Sequence, residues 1–150
     1  MKMLVRLTLL SILTATCVGV ALADKPGDHP HYLHALSDLR HARGYLDKLA
    51  MNEHRDELES NAIAKIDAAI RTIKAASIDD GKNLNDHPPI DAHITRSDRY
   101  KKALELLDAA HHDVTMEEDT AKSQGLQGRV IADVDEAHRI VEKLQARYNK

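Results

Sequence analysis

The sequence predicts an all-α fold, an antiparallel four-helix bundle, on three observations. Four amphipathic stretches of about 20 residues follow one another after residue 29, each with an apolar stripe at three- and four-residue spacing. Turn signals separate the stretches, with Gly81, Pro88 and Pro89 after the second. The chain has no Phe, no Trp and four Tyr, so its core must come from Leu, Ile, Val and Ala. That composition disfavours a β-sandwich or barrel. Side-by-side packing buries four such stripes most simply.

The first helix is expected from about Pro30 to Leu49, with Tyr32, Leu36, Leu39, Leu46 and Leu49 near one stripe. Pro30 suits the first helical position, with Asp28 or His29 just outside. The second runs from about Asp56 to Ile78 on Ala62, Ile63, Ile66, Ala69, Ile70 and Ile73, and Gly81 stops it. The third spans about Thr95 to Val114, carried by Tyr100, Ala103, Leu104, Leu107 and Val114. The fourth spans about Leu126 to Tyr148 on Val130, Val134, Ala137, Val141 and Leu144. A shift of 68 places Tyr32, Ala35, Leu36, Leu39 and Ala42 on Tyr100, Ala103, Leu104, Leu107 and Ala110. The same shift places Leu58, Ala64, Asp67, Ala69 and Arg71 on Leu126, Ala132, Asp135, Ala137 and Arg139. The bundle is therefore read as two related helical hairpins.

Residues 1–23 read differently. A short positive start with Lys2 and Arg6 precedes an uncharged apolar run, Leu7 to Val20, and Ala21-Leu22-Ala23 ends it with small residues. This is the pattern of a secretory signal peptide, with an apolar run short for a membrane span. Residues 24–150 are then the bundle domain, exported to the periplasm or secreted. Removing the segment takes Lys2, Arg6 and Cys17 but no acid, so the net charge becomes more negative than the −3 of the whole chain. The remainder has no cysteine, which excludes disulfides, thiolate metal sites and a cysteine nucleophile. The acidic balance argues against nucleic acid and anionic membrane as partners.

The chain carries ten His, and all lie after residue 24. Two segments share an Asp-His-Pro start and a His end: DHPHYLH (28–34) and DHPPIDAH (86–93). In an up-down-up-down bundle the start of the first helix and the second connection share one end. There His31, His34, His87 and His93 would meet Asp86 and Asp91, with His29 beside them. His31 and His34, three apart, project from one helical face, and imidazole with carboxylate suits Zn, Cu or Ni. The same residues also serve as helix starts and turn caps without any ion. Along the first helix His31, His34, Asp38, His41 and Tyr45 form a stripe beside the Leu stripe, able to line a groove, a dimer contact or a partner surface.

Asp-x-x-His occurs at Asp38/His41, Asp108/His111 and Asp135/His138, a spacing that places acid and imidazole on one helical face. A di-metal core would need inward Glu residues from the second helix, whose Glu57 and Glu59 lie only at its start. No GxGxxG, GxxxxGK[ST], GxSxG or HExxH occurs, and no nucleophile–base pair can be named, so catalysis is not expected.

The strings HYLHALSDLRHAR (31–43) and DDGKNLNDHPP (79–89) resemble segments of small exported bacterial helical proteins to which no activity is attached. The resemblance implies an exported helical bundle and adds no mechanism. Function is therefore expected as non-catalytic binding of a divalent transition metal at the His/Asp pole. The alternative is a metal-free dimerisation or protein-interaction module.

Overall fold

The computed structural model describes residues 29–50, 53–75, 89–91, 93–117 and 125–149. The expected export segment, 1–23, and Gly81 lie outside them. The described elements are four helices: α1 (Pro30–Asp47), α2 (Glu57–Ala75), α3 (Arg96–Met116) and α4 (Leu126–Tyr148). Each begins or ends on a local chemical signal. Pro30 opens α1, whose fixed φ suits the first turn. Arg55 closes its other end, Nη2 donating to the Asp47 carbonyl at 2.9 Å and to its carboxylate at 2.7 Å. A capping box starts α2: Asp56 Oδ1 accepts from Leu58 N at 2.9 Å, and Glu59 Oε2 accepts from Asp56 N at 2.8 Å. Thr95 caps α3 by accepting from Asp98 N at 3.1 Å. Before α4, Gly125 takes a φ of 72°, open to glycine without strain.

Most of the expected stripe positions form the core, but Ile63 and Leu104 are only half-buried, and Leu49 lies past the end of α1 and outside the core. Leu36, Leu39, Leu46, Ile66, Ile70, Ile73, Leu107, Val114, Val134, Val141 and Leu144 are buried, with Tyr32 and Tyr100 as the two aromatic members. Burying each Leu or Ile is worth about 1.5–3 kcal/mol, so these helices are held by packing. No described helix is long and apolar enough to cross a membrane.

The connectivity differs from the up-down-up-down order. α1 packs against α2 and α3, α4 packs against the same two, and α1 faces α4 across the diagonal. Arg43 bonds Asp67, so α1 and α2 are antiparallel. His29 at the start of α1 meets Glu117 just past the end of α3, so these two are antiparallel as well. Arg147 near the end of α4 reaches Asp56 before α2. The order is therefore up-down-down-up. α2 ends at the near end, where α1 starts, while α3 starts at the far end.

The chain from Ala75 to Arg96 accordingly connects opposite ends, a helix length of about 28 Å at 1.5 Å per residue. Ile90 is already at the far end, its Cγ2 lying 3.4 Å from where a Cβ on Gly44 would stand. A single long crossover is a known alternative to short bundle loops, and it explains why this connection exceeds a handful of residues.

Positions 68 apart occupy like places. Tyr32 and Tyr100, Ala35 and Ala103, Leu39 and Leu107, Ala62 and Val130, and Ile66 and Val134 are buried in both hairpins. Lys65 Nζ donates to Asp133 Oδ1 at 3.3 Å across α2 and α4, so two positions related by that shift touch each other.

Candidate metal centre

The near end gathers the first turns of α1 against the last turns of α3. His31 and His34, one turn apart, lie on the face of α1 that meets α3, and the antiparallel pairing brings Asp113 opposite them. One donor atom from each of His31, His34 and Asp113 lies within 4.8 Å of the other two. His31 Nδ1 is buried and has no hydrogen-bond partner among the described residues. Asp113 Oδ1 stands 3.7 Å from it, beyond hydrogen-bond length. A buried nitrogen left open beside a carboxylate is a donor arrangement that a cation satisfies. The His31 and His34 rings meet edge to face with centroids 6.4 Å apart.

Asp38 lies one turn beyond His34. Burial first, and then the charge of Asp113, raise its carboxyl above the ordinary aspartate value, while His41 and His34 pull it down. Two carboxylates thus share a partly desolvated corner with two imidazoles. Two nitrogens and one carboxylate oxygen suit zinc, copper or nickel with coordination positions left open.

The frame around this set is fixed by Glu117, which is buried. Its Oε2 accepts from His31 N at 3.1 Å, taking one of the unpaired amides at the start of α1, and its Oε1 lies 2.9 Å from His29 Nδ1. Gln127 of α4 donates to the carbonyls of Val114 at 3.0 Å and Glu117 at 2.9 Å, holding the end of α3. Three helices therefore set the spacing between His31 and Asp113.

Of the expected site residues, His31 and His34 come together. His29 is the residue before α1, and its ring is engaged by Glu117. Asp38, His41 and Tyr45 line a groove of about 320 Å³ between α1 and α3, with Lys102, Glu105 and Leu106 on the other wall. His41 Nδ1 lies 3.0 Å from the Ser37 carbonyl, to which it donates.

Asp91 and His93 are not part of the cluster. They precede α3 at the far end, exposed, where Asp91 Oδ1 accepts from His93 N at 2.9 Å in a turn. The expected meeting of the two Asp-His-Pro segments assumed an up-down-up-down order, and the crossover carries the second segment's end away. Asp86 and His87 lie outside the described residues. Asp113 and Glu117 were not expected. The signal for Asp113 is its place in the polar run His111-His112-Asp113 near the end of α3, which becomes meaningful once α3 is known to run against α1. Asp67, a potential interior acid, is bonded by Arg43 Nε at 2.7 Å. No family model matches the chain, and neither a curated protein nor a solved structure matches it.

Proposed function

We propose that this chain is an exported, non-catalytic protein that binds a divalent transition metal of the zinc, copper or nickel class. His31, His34 and Asp113 are the ligands. The observation that carries the reading is the approach of three donor atoms from two helices to within 4.8 Å of one another. The open Nδ1 of His31 and the paired carboxylates of Asp38 and Asp113 support it. The two hairpins are read as copies of one ancestral hairpin, since positions 68 apart are buried alike.

The test is elemental analysis of protein purified without a metal column, followed by titration with Zn(II), Cu(II) and Ni(II). One equivalent bound at micromolar metal, lost in His31→Ala/Asp113→Asn, supports the reading. Unchanged stoichiometry in that variant overturns it. The groove beside Asp38, His41 and Tyr45 favours a second reading, a partner or dimer surface on α1. It requires a mass that depends on concentration in metal-free protein, and a monomer from pH 5 to 8 counts against it.

A further inference from the structure

Among the described residues two large apolar side chains are exposed, Met116 and Tyr148. Tyr148 has partners at the far end, where Arg96 stands over its ring and Tyr100 meets it edge to face. Met116 ends α3 at the near end, 55% exposed, one turn beyond Asp113. It stands three residues past Asp113 and fourteen past Lys102, which lines the groove between α1 and α3. That register puts it on the flank of α3 turned toward α1.

The backbone around Met116 is held at the level of His31. Glu117, the next residue, accepts from the His31 amide at 3.1 Å, and Gln127 donates to the carbonyls of Val114 and Glu117. Met116 starts about 4.5 Å beyond Asp113 along the helix axis. Helical side chains lean toward the N-terminus of their helix, a direction that for Met116 runs back over Asp113. Its three rotatable bonds and unbranched chain let the sulfur settle on a neighbouring group.

That sulfur differs in kind from the donors beside it. Imidazole and carboxylate accept zinc, nickel and cupric copper, whereas a thioether is a soft ligand that prefers cuprous copper. No cysteine follows residue 17, so in residues 24–150 methionine is the soft sulfur available. Leucine at this position would present the same apolar surface without a lone pair.

Resting on the near-end reading, we infer that Met116 is a ligand of that centre and makes it selective for Cu(I). His31, His34 and Met116 form the soft set, two nitrogens and one sulfur drawn from two helices. Asp113 is the hard donor, which Zn(II) and Ni(II) use and Cu(I) does not need.

The test measures Cu(I) affinity under anaerobic reducing conditions against a chromophoric chelator, with Zn(II) affinity alongside. It uses the full chain carrying Cys17→Ser, so that methionine is the source of sulfur. Met116→Leu changes an exposed side chain and keeps the apolar surface of the helix end. A Cu(I) affinity lowered at least about tenfold, with Zn(II) unchanged, supports the inference. Equal Cu(I) affinity, or an equal loss for both metals, overturns it. Copper X-ray absorption reads the ligand directly. A sulfur neighbour that Met116→Leu removes supports the assignment, and a shell of nitrogen and oxygen alone overturns it. The near-end reading is judged separately by the Zn(II) count in His31→Ala/Asp113→Asn. Where that count falls and Met116→Leu matches the parent, the centre stands and its selectivity for Cu(I) does not.

Discussion

The buried carboxylate of Glu59 accepts a hydrogen bond from the Tyr100 hydroxyl at 2.7 Å, joining α2 to α3 across the diagonal of the bundle. Arg96 completes the group, its Nη2 2.7 Å from Glu59 Oε2 and its guanidinium 4.5 Å above the Tyr148 ring. Glu59→Ala leaves Arg96 and Tyr100 without their acceptor and is expected to cost about 3 kcal/mol. Tyr100→Phe removes two bonds, the one to Glu59 and the one the hydroxyl accepts from Arg96 Nε at 2.6 Å, and costs about 2 kcal/mol. Urea unfolding measures both, and a Glu59→Ala loss no larger than that of Tyr100→Phe refutes the ranking.

Burial first, and then the bond to Glu59, push the Tyr100 hydroxyl well above the ordinary tyrosine value of 10.0. A group raised in the folded state stabilises fully below its unfolded value, and that contribution is lost as pH rises beyond it. Spectrophotometric titration should therefore show Tyr100 ionising last and with unfolding, and Tyr100→Phe should remove that late step.

Asp56 gives the opposite sign. The Leu58 amide, and then Arg147 at 2.6 Å, hold its carboxyl below the usual 3.8. Its contribution is present above that value and is lost as pH falls through the folded one. Asp56→Ala should cost about 1 kcal/mol at pH 7, the scale of a helix cap. Its deficit relative to the parent should shrink below pH 4, as followed by thermal unfolding.

Asp38 should separate stability from binding. Its ionised carboxylate is opposed by burial and by Asp113. Asp38→Asn should therefore stabilise the metal-free protein by about 0.5 kcal/mol, the scale of a partly exposed charge pair. The same change should reduce the rise in melting temperature that Zn(II) produces. A variant that melts lower without metal counts against this account.

Gly44 reports the crossover. Alanine there places its Cβ 3.4 Å from Ile90 Cγ2, ordinary contact, and removes the flexibility of a helical glycine. Gly44→Ala should be neutral or stabilise by up to about 1 kcal/mol. Gly44→Leu should destabilise, and Ile90→Ala should recover much of that loss. Additive effects would mean that Ile90 does not lie over Gly44.

The helices were legible because their signals are local. Pro30, the Thr95 cap and the 3.6-residue stripes each act within a turn or two, and the expected starts agree with the observed ones to within one residue. The site was half legible. His31 and His34 are neighbours on one helix, whereas Asp113 becomes their partner only through the direction of α3. That direction is set by how four stripes pack together. The length of the second connection was the available sign, and its density of Asp, Asn and His drew the reading toward a site.

The shift of 68 relates the two ends of the bundle, yet it carries His31 onto Arg99 and His34 onto Lys102. At the far end Asp47, Glu53, Asp56 and Glu59 are each matched by an arginine: Arg55, Arg99, Arg147 and Arg96. Guanidinium keeps its proton at any physiological pH, so those carboxylates are permanently neutralised. At the near end Asp113 and Glu117 face imidazoles instead of guanidinium groups. The described bundle thus carries fixed guanidinium cations against its acids at one pole and imidazoles against its acids at the other.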